Sequence, residues 1–173
     1  MASSQKRIVK ELQECTSSPP AGMTVALASE TDLHRWDVVL EGPPGTPYAG
    51  GVFGLRLVLP PDYPFRAPQL TFATRVYHPN VTNDSVGHVC LGPLKPENWK
   101  PAGRLRAVLE AARQLLVEPN PDDPLEPRIA DEYRQNRPEF DRNARSYVAR
   151  YAKPGPAAAA AASAASASAS ASK

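Results

Sequence analysis

The sequence predicts an α+β fold: a four-stranded antiparallel meander sheet with one helix ahead of it and about three behind it. Three observations carry this. Short runs with period-two alternation follow one another with only turn residues between them. Helical spacing is confined to the two ends of the chain. Strands therefore come first and helices afterwards, without the βαβ alternation that builds a parallel sheet.

The elements follow in order. Residues 4–15 set Lys6, Arg7 and Lys10 against Ile8, Val9 and Leu12, and the Ile8–Leu12 step of four is that of an amphipathic helix. Ser17-Ser18-Pro19-Pro20 stops it, because a residue before proline avoids the helical region. Val25 and Leu27 alternate, as do Trp36, Val38 and Leu40, then Phe53, Leu55, Leu57 and Leu59, and finally Leu70 and Phe72. The clusters Gly42-Pro43-Pro44-Gly45-Thr46-Pro47 and Pro60-Pro61-Asp62-Tyr63-Pro64 supply turns between strands. Consecutive short strands with tight connections make a meander with one covered face. After Pro101 the 3.6 period returns in Leu105, Val108, Leu109, Ala112, Leu115 and Leu116, and Glu118-Pro119-Asn120-Pro121-Asp122-Asp123-Pro124 ends that helix. A third helix carries Ile129, Ala130 and Tyr133, and a fourth carries Phe140, Ala144, Tyr147, Val148 and Tyr151.

One domain spans residues 1–153. From Pro154 to Lys173 the chain is Ala- and Ser-rich, with no large apolar side chain to dock, and is read as a low-complexity tail. With 173 residues the chain has length for one real core. A net charge of +2 is too weak to argue for nucleic acid or membrane. No apolar run reaches the roughly 18 residues of a membrane span, and no signal-peptide core follows the N-terminus. Two cysteines do not make a secreted disulfide framework, so a reducing cytoplasmic or nuclear compartment is expected.

Chemistry concentrates in Tyr77-His78-Pro79-Asn80, Cys90-Leu91-Gly92 and Trp99-Lys100-Pro101-Ala102. Cys90 sits among Gly, Pro, Asn and Asp, the residues of irregular backbone, whereas structural cysteines lie in apolar elements. A loop cysteine near an amide side chain reads as a nucleophile with a hydrogen-bond donor at hand. Cys90 with His78 or His88 lacks the local signature of a cysteine protease. These three residues also lack the spacing of a zinc site, and no phosphate-binding glycine loop is present.

The ordered motifs resemble the ubiquitin-conjugating enzymes over about residues 5–152. They are Lys6-Arg7-Ile8 with Lys10-Glu11-Leu12, Pro47-Tyr48-Ala49-Gly50-Gly51-Val52-Phe53, Asp62-Tyr63-Pro64-Phe65 with Pro68, His78-Pro79-Asn80, Cys90-Leu91, Trp99 with Pro101-Ala102, and Pro119 to Leu125. The resemblance implies two acyl transfers. Cys90 takes ubiquitin's C-terminal acyl group from an activating enzyme as a thioester, then passes it, with a ligase, to a substrate lysine or a ligase cysteine. No adjacent base is required, since some thiolate exists near neutral pH. ATP is consumed upstream by the activating enzyme, and this chain needs no cofactor or metal. By the same resemblance Asn80 either donates to the oxyanion or braces the active-site loop. Asp123 positions the incoming lysine and suppresses its protonation. His78 and Asn120 support the loop, and Tyr77 packs beneath it. Phe65, Pro101 and Ala102 form a ligase-docking patch. Arg7 and Lys10 contact activating enzyme and ligase, the bland alternative being a solvated helix face. Ubiquitin, activating enzyme, ligase and substrate proteins are the implied partners of a monomer that binds neither nucleic acid nor membrane.

Departures from the family pattern are also visible. The step from Asn80 to Cys90 is ten residues, where many members have eight. Gly92 replaces the Asp common in lysine-reactive members. Glu110 replaces a Leu that holds the donor ubiquitin. Pro96-Glu97-Asn98 before Trp99-Lys100-Pro101-Ala102 resembles the subgroup that transfers chiefly to ligase cysteines. A noncatalytic ubiquitin-binding adaptor of the same fold is the alternative.

Overall fold

A computed structural model describes residues 2–155. The tail expected over 154–173 lies outside the described residues, apart from Pro154 and Gly155. Helix α1 (Ala2–Ser17) leads into strands β1 (Met23–Ser29), β2 (Asp32–Glu41), β3 (Val52–Val58) and β4 (Gln69–Phe72). A short 3-10 turn follows at Gly92–Leu94, then helices α2 (Leu105–Val117), α3 (Pro127–Gln135) and α4 (Arg137–Tyr151). The sheet order is β1-β2-β3-β4, every pair antiparallel. The expected α+β meander with one helix before it and three after it is therefore the observed fold.

The alternating residues fill the core as their period demands. Trp36, Val38 and Leu40 of β2, Phe53, Leu55 and Leu57 of β3, and Leu70 and Phe72 of β4 are all buried. They meet Leu105, Val108, Leu109, Ala112 and Leu116 from one stripe of α2. Helix α1 extends beyond residues 4–15 at both ends. It buries Ile8, Cys15 and the carboxylate residue Glu11. Glu11 Oε1 accepts from the Leu105 backbone N–H (3.0 Å) and Oε2 from the Tyr63 hydroxyl (2.5 Å) and Arg7 Nε (3.3 Å). One side chain thus satisfies a free N–H at the start of α2 and ties that helix to α1 and to the Tyr63 loop.

The segment between Asn80 and Cys90 folds back on the sheet edge. Asp84 Oδ1 accepts from the Val86 and Gly87 N–H groups, each at 2.9 Å, and from Thr82 Oγ1 at 3.0 Å. Gly87 O accepts from Phe72 N–H at 2.8 Å, and Thr71 bridges His88. Gly87 has φ +66°, and a Cβ there would meet Phe72 O at 2.1 Å, so this close approach admits only glycine. The longer connection is absorbed in this turn, and the Cys90 N–H still bonds Asn80 O at 3.0 Å.

Candidate active site

His78, Pro79 and Asn80 are buried and form the floor. His78 Nε2 donates to Leu115 O (2.8 Å) on α2, and Nδ1 accepts from Asn80 N–H (2.9 Å). This fixes one neutral tautomer, and burial lowers the imidazole pKa from 6.5 to about 4. With both nitrogens engaged and the residue 0 % exposed, His78 has no free edge for a substrate proton.

Asn80 is 1 % exposed, and its amide is fully engaged. Nδ2 donates to Asn120 O (2.7 Å) and Asp123 O (3.0 Å), while Oδ1 accepts from Asn120 N–H (2.9 Å). Its backbone partners, two carbonyls and one N–H, allow only this amide orientation. Pro79 O adds two bonds, from Leu125 N–H and Glu126 N–H. Together these bonds staple the segment 120–126 to residues 79–80. In this geometry Asn80 braces the loop, and oxyanion donation requires it to release a carbonyl.

That staple carries Asp123 to the cysteine. Cys90 Sγ lies 3.5 Å from Asp123 Oδ2 and donates to it, and Lys95 Nζ donates to the same oxygen at 2.5 Å. The thiol is half-buried at the edge of a cleft of about 240 Å³ lined by Gly92, Pro93, Lys95, Leu115, Asn120 and Asp123. Burial raises the Cys90 pKa, the hydrogen bond and charge of Asp123 raise it further, and Lys95 offsets part of this. The resting thiolate fraction is thus smaller than that of an unperturbed cysteine. Lys95 chiefly, with the thiol hydrogen bond, holds the Asp123 carboxyl below its usual range.

Phe65 stands 77 % exposed, and Pro101 and Ala102 are exposed on a separate loop. Trp99 Nε1 donates to Pro64 O (2.8 Å), fixing the Phe65 turn. For Arg7 the sequence leaves a partner contact or a solvated face, and the structure adds contacts within the chain. Its guanidinium donates to Pro101 O (2.5 Å) and Gly103 O (2.6 Å), so it holds the loop that presents Pro101 and Ala102. Lys10 is exposed on α1. Tyr77 packs against α4, its ring 5.1 Å from that of Tyr147 and 5.9 Å from that of Phe140. Glu110 is exposed and pairs with Arg106 at 3.0 Å. A Cβ at Gly92 would meet nothing within 4 Å, so the missing carboxylate there leaves an open position.

Sequence reasoning misses Lys95 and the linking role of Glu11. Glu11 stands three residues after Ile8 and four before Cys15, on the apolar stripe, a periodic signal that it is buried. Nothing local pairs Lys95 with a carboxylate 28 residues away.

Similarity to known proteins decides the family. The profile of the family "Ubiquitin-conjugating enzyme" matches residues 7–148. The chain belongs to the ubiquitin-conjugating enzyme family. It is 47% identical over 151 residues to "Ubiquitin-conjugating enzyme E2 14" of Schizosaccharomyces pombe, covering 87% of this chain and 96% of that relative. The solved E2 domain of a Toxoplasma gondii ubiquitin conjugating enzyme superposes with a TM-score of 0.77 at 37% identity, over 86% of this chain and 99% of that one.

Proposed function

We propose that Cys90 accepts ubiquitin from an activating enzyme as a thioester and passes it, with a ligase, to a ligase cysteine or a substrate lysine. The observation that supports this most is the placement of the two thiols in a member of this family. Cys90 opens onto a cleft with a carboxylate against it, while Cys15 is 1 % exposed and its pKa is raised by burial to about 11.

In loading, the Cys90 thiolate attacks the activating enzyme's thioester; a C–S bond to Cys90 forms and the upstream thiolate leaves. In transfer to lysine, the amine nitrogen attacks the carbonyl carbon, the C–S bond breaks, Cys90 departs as thiolate, and the amine's proton passes through Asp123 or to solvent. In transfer to a cysteine, one thioester replaces another and the acceptor enters already deprotonated. Asp123 acts on the acceptor, Asn80 with Asn120 holds Asp123 in place, and His78 supports the floor. The chain works without its own cofactor, ATP being consumed by the activating enzyme. It acts as a monomer in the cytosol or nucleus, where thiols stay reduced. Among the described residues no helix is long and apolar enough to cross a membrane.

Phe65, Pro101 and Ala102 dock the ligase, Arg7 shapes that patch, and Lys10 meets activating enzyme or ligase directly. The open Gly92 position and the ion-paired Glu110 favour the subgroup that passes ubiquitin to ligase cysteines. Charging tests the reading: protein, activating enzyme, ubiquitin and ATP on a nonreducing gel. The expected result is a thiol-sensitive adduct on wild type and Cys15→Ala and none on Cys90→Ala. No adduct on wild type favours the noncatalytic adaptor.

A further inference from the structure

We propose that Lys95 is an internal stand-in for the acceptor amine, occupying Asp123 against lysine acceptors and so tilting the enzyme toward thiol acceptors. This rests on the reading of Cys90 as the thioester carrier.

The geometry is direct. Asp123 Oδ2 lies against the Cys90 thiol, where a carboxylate can receive an attacking amine. That oxygen already holds a primary ammonium, Lys95 Nζ at 2.5 Å, of the same chemistry as the acceptor. Lys95 is presented there by the 3-10 turn Gly92–Leu94, with its own N–H bonded to Gly92 O at 3.2 Å. Gly92 supplies no second carboxylate that could receive the acceptor while Asp123 is taken.

Two consequences act in the same direction. An incoming lysine must displace Lys95 before it reaches Asp123. The pair also makes Asp123 a weaker base, because the Lys95 ammonium stabilises its ionised form. A thiol acceptor uses neither service. It attacks as thiolate, forms its own C–S bond and expels Cys90, with no amine proton to remove. The ion pair is partly solvated, its side chains 36% and 53% exposed, so it restrains the amine without shutting the site.

The test uses full-length enzyme charged with ubiquitin, separated from activating enzyme, and mixed with free lysine or free cysteine over a range of concentrations. The ratio of lysine to cysteine discharge should rise about three- to fivefold in Lys95→Met, the size that a partly exposed ion pair supports. Competition predicts that the gain appears as a lower apparent KM for lysine. Lys95→Arg, which keeps the pair, should stay near the wild-type ratio, and Asp123→Asn should abolish the gain from Lys95→Met. Proton titration of the Asp123 carboxyl by NMR should move upward in Lys95→Met, independent of turnover. An unchanged ratio in Lys95→Met, or the same gain with Asp123→Asn present, overturns the gate while leaving the thioester intact. Failure of wild type to charge removes the thioester reading itself, and the gate with it.

Discussion

His78 turns its ring into the core, donating to Leu115 O on α2 and accepting the Asn80 N–H. His88, in the segment leading to Cys90, stands exposed instead. The same side chain is thus a structural strut at one position and a solvated group at the other. Enclosure drops the His78 pKa from 6.5 to about 4, so on acidification the unfolded chain binds this proton before the folded one does. Its contribution to stability is fully present above about pH 6.5, fades as pH falls, and is gone below about pH 4. The shift corresponds to roughly 3 kcal/mol across that window. Urea unfolding of wild type and His78→Gln from pH 7 to pH 4 checks this. Wild type should lose stability more steeply than the variant, and parallel curves would show that His78 titrates normally.

At the scale of elements, the site depends on how α1, α2 and two loops are pinned together. Glu11 joins three of them through Leu105 N–H, the Tyr63 hydroxyl and Arg7. Arg7 in turn holds the loop at Pro101 and Gly103. Replacing Glu11 with Ala leaves two buried donors without an acceptor, each costing about 1–3 kcal/mol. Glu11→Ala should therefore lower unfolding free energy by about 2–6 kcal/mol in urea titration. A loss below about 0.5 kcal/mol, as for an ordinary surface position, would contradict the linking role. The N-terminus of α2 should fray first, detected as faster amide exchange at Leu105.

At the scale of the whole molecule, the fold was legible because period-two runs and 3.6 spacing point to the same layers. Trp36, Val38 and Leu40 face the α2 stripe as their alternation requires. The loop placement of Cys90 was legible because it stands among turn residues, away from any apolar run. What stayed hidden depends on contacts distant in sequence. The Lys95–Asp123 pair spans 28 residues, and the Arg7 clamp on Pro101 spans 94. Periodicity reports which face an element buries, and it carries no information on which loop tips meet. Function as proposed depends on acyl transfer through one sulfur. Intact-mass measurement after loading, followed by peptide mapping under nonreducing conditions, tests it most directly. The expected result is a mass gain of one ubiquitin less one water, located on Cys90 and removed by a thiol reductant. An unmodified Cys90, or a reductant-resistant adduct on another residue, would contradict it.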